Sequence, residues 1–220
     1  SSFTEYWLLQ AMGNNPSDVQ ITIVDAVLVT IMEHGLVPSV ISSRLTLHGA
    51  PESIQGAVAA GILGVGDRYA GTASECGKLF RRVAEASNPE SEAITIVKEY
   101  RSIKKPLPGF GHHIHKGTDP RVNKLIEVCE SCKTDGKYIK AMHLLENTLS
   151  EELGKEIVTN VSAAIGAVLA EASIPYEMMR GIVITARCAG IVGHLLEENS
   201  NPIANDLWEG AQQAVDYKKD

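Results

Sequence analysis

The run Leu107-Pro-Gly-Phe-Gly-His-His-Ile-His-Lys-Gly-Thr-Asp-Pro-Arg121 gathers three histidines, a lysine and an arginine behind Gly109 and Gly111. Glycine and proline let a backbone approach a ligand closely and leave amide N–H groups pointing at it. His112, Lys116 and Arg121 add titratable or cationic side chains, so the segment reads as a turn-rich loop built for proton transfer and anion binding. On both sides of it apolar residues recur at helical spacing: Ile21, Val24, Leu28 and Ile31, then Ile54, Val58 and Ile62, then Val158 to Leu169. This periodicity predicts an all-α protein. Turn residues cluster at Gly13–Pro16, His34–Pro38, Gly49–Pro51, Lys105–Pro120, Ser173–Pro175 and Asn199–Pro202, and none of these is long enough for a flexible linker.

The chain has 220 residues, enough for one or two domains with a sizeable core, and a net charge of -7. An acidic balance argues against a general nucleic-acid or membrane-surface binder, because those partners reward basic surfaces. Local basic groups must then do any anion binding. No apolar stretch reads as a membrane span of roughly 20 residues, and Ser1-Ser-Phe-Thr-Glu5 lacks the basic start and apolar stretch of a signal peptide. The expectation is a cytoplasmic protein. Cys129 and Cys132 form a Cys-x-x-Cys with no second pair at zinc spacing, so they read as reduced thiols on a helix. Gly61-Ile-Leu-Gly-Val-Gly66 lacks the preceding strand of a nucleotide fingerprint. His112, His113 and His115 cluster, but adjacent histidines on a tight loop rarely aim at one point, and no metal site is expected.

Four segments in order resemble the citrate synthase superfamily. The loop reads Pro108, Gly109, Phe110, Gly111, His112, then Lys116, then Asp119, Pro120, Arg121, similar to that superfamily's Gly-His loop. Met32-Glu-His34-Gly is similar to its Asp-His segment, and Asn160-Val-Ser162 followed by Arg187 stands where it has Asn-Val-Asp and a second carboxylate-binding arginine. Gly66-Asp-Arg-Tyr69-Ala-Gly71 departs from the histidine turn of the synthases and looks closer to the turn of the citryl-CoA lyase module of ATP-citrate lyase.

The resemblance implies a citrate synthase-like fold with a large helical domain, residues 1–79 and 153–220, and a smaller inserted one, residues 80–152, carrying the Gly-His loop. It implies an enzyme, a carbon–carbon lyase or acyltransferase, that cleaves a citryl-CoA-type thioester to acetyl-CoA and oxaloacetate or runs the reverse. A citrate or methylcitrate synthase and a non-catalytic thioester binder are the alternatives. His112 and His34 would hold the reacting oxygens, Tyr69, Arg121 and Arg187 the substrate, and Leu107, Gly109, Phe110, Gly111 and Lys116 the coenzyme A. The partners implied are a coenzyme A thioester, a dicarboxylate and a second copy of the chain, with no metal.

Ser162 is the sharpest departure. A serine hydroxyl without a partner base cannot readily move a carbon-bound proton, and a general acid–base group contributes roughly 10²–10⁴-fold. The serine implies slow ordinary chemistry, a changed reaction or an engineered variant. The run Glu197-Glu198 reads as a solvated helix end.

Overall fold

The computed structural model describes residues 1–111 and 119–216, apart from the side chains of Arg68 and Tyr69. Among them the chain is all helical. Eleven α-helices run in the order α1 Phe3–Met12, α2 Asp18–Met32, α3 Pro38–Gly49, α4 Ile54–Leu63, α5 Thr72–Ala84, α6 Pro89–Ser102, α7 Pro120–Ser131, α8 Lys137–Leu153, α9 Val161–Glu171, α10 Tyr176–Ser200 and α11 Ala204–Ala214. A π-helical turn over Asp67–Gly71 precedes α5. Among the described residues one isolated bridge occurs, pairing Phe110 with Thr159.

Local chemistry sets many of the helix boundaries. Ser2 and Glu5 form a reciprocal capping box on α1, and Gly13 ends that helix in the left-handed conformation. Proline occupies the first turn of α3, α6 and α7, where its missing N–H costs nothing. Asn160 caps α9 and Asp119 caps α7. Gly61 to Gly66, which resembles a phosphate loop in composition, is the end of α4 and the turn after it.

The chain divides into two compact units, residues 1–30 with 70–182 and residues 31–69 with 183–220. In the first unit α9 is the central helix, with Ala163 to Ala170 buried without interruption. Small residues let α5 come close: a methyl group added to Gly166 would lie 2.8 Å from Ala73 O and 2.9 Å from Gly77 N. Helices α7 and α8 also pack on α9, and α6 packs on α5 and α8. Residues 80–152 lie inside this unit. In the second unit α3 packs on α4 and α11, around a core of Val40, Leu47, Ala57, Ile191 and Leu195.

By length and composition α10 could cross a membrane, which the sequence reading did not anticipate. Some of its apolar residues are core residues, Met179 and Ile182 in the first unit and Ile191 and Leu195 in the second, while Val192 and Leu196 are exposed. Cys76, Cys129, Cys132 and Cys188 are free thiols on or at the end of helices, as expected.

Candidate active site

In the first unit the residues before the histidines lie along the entry to α9. Asn160 N–H donates to Gly109 O at 2.9 Å, Gly111 N–H donates to Val158 O at 2.8 Å, and Asn160 Nδ2 donates to Gly111 O at 3.2 Å. The other oxygen-bearing end of the same side chain accepts from Ser162 N and Ala163 N at 3.0 and 3.4 Å. One asparagine thus ties the loop to the helix start and caps that helix. Gly109 and Gly111 have φ of +87° and +84°, a region that side-chain-bearing residues rarely adopt. At Gly109 there is no room either, since a methyl group would lie 2.6 Å from Cys76 Sγ and 2.7 Å from Ala163 Cβ. Phe110 meets Phe80 edge-on with ring centroids 6.3 Å apart.

Ser162 is half-buried at the second position of α9, near the positive end of the helix dipole. The structure therefore brings Gly109, Phe110, Gly111 and Ser162 together. Arg121 opens α7, which packs on α9. Buried Asp119 accepts from its Nε at 3.0 Å and its Nη2 at 2.7 Å. That fork fixes the plane of the guanidinium, whose other N–H groups Asp119 does not use. His112, His113, His115 and Lys116 lie outside the described residues.

Leu107 and Phe110 also line a cavity of 380 Å³ with Tyr100, Lys104, Lys105 and Ile157. Sequence reasoning passed over Lys104 and Lys105, although a lysine pair directly before Pro-Leu-Pro-Gly is a readable cue. Arg101 at the rim is paired with Glu152 at 2.5 Å.

The second unit holds His34 and Arg187, and Tyr69 belongs to the π-helical turn at its edge in sequence. His34 is exposed in the turn after α2, between Glu33 and Gly35, the latter at φ +67°. Arg187 is half-buried on α10 and makes a polar interaction of its own. Glu33 shapes the His34 turn. Its Oε1 accepts from Gly35 N at 2.5 Å and its Oε2 lies 2.8 Å from His194 Nε2. Burial works to raise its pKa, but the Gly35 N–H and His194 outweigh that and leave it lowered.

Behind that turn lies an unexpected buried charge. Arg44 is 1% exposed and donates to Glu198 Oε2 at 2.7 Å, to His194 Nδ1 at 2.8 Å and to Glu197. Because arginine can only donate, His194 Nδ1 accepts and the ring proton is assigned to Nε2, facing Glu33. The second oxygen of Glu198 accepts from Ile203 N and Ala204 N at 2.9 Å, capping α11. Burial works to raise the Glu198 pKa, and Arg44 with those two N–H groups holds it low. Glu198 is therefore a buried structural carboxylate; the solvated helix end expected from its sequence applies only to Glu197, whose side chain is 57% exposed. Among the described residues no group of three His, Cys, Asp or Glu could hold a metal ion.

A family model of the citrate synthase C-terminal domain matches residues 1–207. The chain belongs to the citrate synthase family. It is 22% identical over 200 residues to citrate synthase 2 of Bacillus subtilis, covering 90% of this chain and 52% of that protein. The chain thus spans about half the length of the curated relatives it matches. It is similar to the solved citryl-CoA lyase of Hydrogenobacter thermophilus, with a TM-score of 0.87 and 29% identity over 100% of this chain and 84% of that one. The ATP citrate lyase of Methanothrix soehngenii, solved with citrate and coenzyme A, shares the fold at 17% identity and a TM-score of 0.78, over 100% of this chain and 37% of that one. The expected superfamily and its all-α fold are both borne out.

Proposed function

We propose that this citrate synthase family member binds a coenzyme A thioester and cleaves a citryl-CoA-type substrate to acetyl-CoA and oxaloacetate, or runs that reaction in reverse. The observation that carries the reading is the tethering of Gly109–Gly111 to the start of α9, which sets a glycine backbone beside Ser162 at a positive helix end. The likeness to a solved citryl-CoA lyase along the whole chain supports it.

In this reading the nucleotide end of coenzyme A lies along Leu107–Gly111, with Lys104, Lys105 and Lys116 facing its phosphates. His112 takes the proton of the tertiary hydroxyl. The O–H electrons form the ketone of oxaloacetate, the neighbouring C–C bond breaks, and its electron pair moves onto the thioester as an enolate. Protonation of the enolate carbon completes acetyl-CoA. His34 and Tyr69 donate to the developing oxygens, where preorganised donors are worth most, while Arg121 and Arg187 pair with the carboxylates. These fixed donors stabilise the charges that develop, so the proposed chemistry calls on no metal or redox cofactor. The protein works as a homodimer through its Ala- and Gly-rich helices between residues 49 and 78, and residues 80–152 move as a small domain.

Ser162 favours a second reading, a thioester-binding protein with little turnover, because its hydroxyl is a poor acid and base for carbon. Binding is common to both readings and is tested by calorimetric titration with coenzyme A and acetyl-CoA. Both should bind, and Lys104→Ala with Lys105→Ala should weaken them together. No heat and no thermal stabilisation with either ligand would remove both readings.

A further inference from the structure

Glu146 of α8 uses one carboxylate oxygen twice. Its Oε1 accepts from both the backbone N–H and the hydroxyl of Thr159, each at 2.6 Å, while Oε2 lies 3.3 Å from His143 Nδ1. Thr159 is 5% exposed and lies opposite Phe110 in an isolated extended bridge. Its neighbours on either side make the loop contacts: Val158 O accepts from Gly111 N, and Asn160 N donates to Gly109 O.

The segment between α8 and α9 has few other anchors. Ile157 N donates to Ser150 Oγ at 3.0 Å, and Lys155 N to Ser150 O at 3.2 Å. Among the described residues, no hydrogen bond from residues 155–160 to α8 is shorter than the Glu146 pair. An extended segment held by one bridge can slip, and a one-residue slip turns every side chain to the opposite face. Two charge-assisted bonds to one residue remove that freedom.

We propose that Glu146 is a positioning residue that locks residues 158–160 against α8 and so sets the height of the Gly109–Gly111 backbone and of Ser162. It touches no reacting group; it acts through Thr159 and Asn160. The inference rests on the coenzyme A reading for its functional consequence but not for its structural one, so the two are tested separately.

Amide hydrogen exchange and coenzyme A titration on the full chain make the test, with wild type, Glu146→Ala, Glu146→Gln and Thr159→Val. A glutamine oxygen can still accept both Thr159 bonds but without their charge, so Glu146→Gln should lie between wild type and Glu146→Ala, nearer to wild type. Glu146→Ala should speed exchange at Gly111 and Asn160 by about tenfold or more, the loss expected when charged hydrogen bonds are removed. Thr159→Val keeps the shape and one bond, and should fall between. Amides of Ala167 and Val168 inside α9 should keep their protection in every variant, and coenzyme A affinity should fall in the same order as the Gly111 exchange rises.

Unchanged exchange at Gly111 and Asn160 in Glu146→Ala overturns the proposal, as does an equal loss across α9, which marks a merely structural residue. Should Glu146→Ala fail to fold, the ranking of Thr159→Val below Glu146→Gln decides the question. If wild type binds no coenzyme A, the functional reading fails while the exchange data still judge Glu146.

Discussion

Gly109→Ala and Gly111→Ala test whether packing at the α5–α9 crossing fixes the loop. Both glycines have nearly the same φ, +87° and +84°, so both alanines carry the left-handed strain of about 1–2 kcal/mol. Both also gain roughly 0.4–1 kcal/mol from a stiffer unfolded chain. What differs is the neighbourhood. At Gly109 the new methyl would meet Cys76 Sγ at 2.6 Å and Ala163 Cβ at 2.7 Å, whereas at Gly111 it meets no described atom within 4 Å. Carbon contacts prefer about 3.5–4.0 Å, so relief at Gly109 needs a shift near 1 Å. The first obstacle belongs to α5 and the second to α9, whose crossing is already closed by Gly166 against Ala73 and Gly77. Overpacking of that kind costs about 1–3 kcal/mol. Gly109→Ala should therefore lose about 1–3 kcal/mol more stability than Gly111→Ala. Urea titrations followed by circular dichroism measure both. Equal losses would refute the argument, because they would leave backbone conformation as the whole effect.

Arg44→Leu should cost about 3–5 kcal/mol, since it leaves the buried Glu198 carboxylate without its cation, and adding Glu198→Leu should recover only part of that loss because Ile203 N and Ala204 N then lose their acceptor; denaturant titration of the single and double variants checks it. The pKa values of Glu198 and Glu146 are both lowered by their partners. A carboxyl whose folded pKa is depressed adds stability that is fully present above its unfolded value of about 4.3 and is lost as pH falls through the folded value. Acid unfolding should thus set in below that value, and Glu146→Gln should show a shallower pH dependence there in pH-resolved urea titrations. Coenzyme A should raise the thermal transition of the wild type by mass action, and Lys116→Ala should reduce the shift; equal shifts for the two proteins would count against a contact at that lysine.

Features decided within a few residues were readable in the sequence. The helical periods and the paired glycines of the loop follow from local geometry, and each stands where the pattern places it. Gly109, Phe110, Gly111 and Ser162 were singled out through the family resemblance of two contiguous strings, and the structure sets those strings side by side. Pairings that packing alone decides were not legible. Arg44 and Glu198 lie 154 residues apart, and no period or spacing links them. Glu198 follows an exposed Glu197 on a helix end, so composition pointed to solvent while the α11 cap and Arg44 drew it inside. Glu146 has the same history: on α8 it looks like any helix-face glutamate, and only the return of the chain at Thr159 gives it a partner. The cavity at Lys104 and Lys105 needed α8 to supply its far wall through Leu149 and Leu153.

In the proposed function the Gly109–Gly111 and Ser162 cluster serves carbon–carbon cleavage of a citryl thioester. It is tested most directly by giving citryl-CoA to the purified protein and to Ser162→Asp, and following acetyl-CoA and oxaloacetate by mass. Slow cleavage by the wild type is expected, with the aspartate variant faster by roughly 10²-fold or more, because a carboxylate can move the methyl proton. No acetyl-CoA from either protein, under conditions where coenzyme A binds, would contradict the lyase reading and leave a thioester-binding protein in its place.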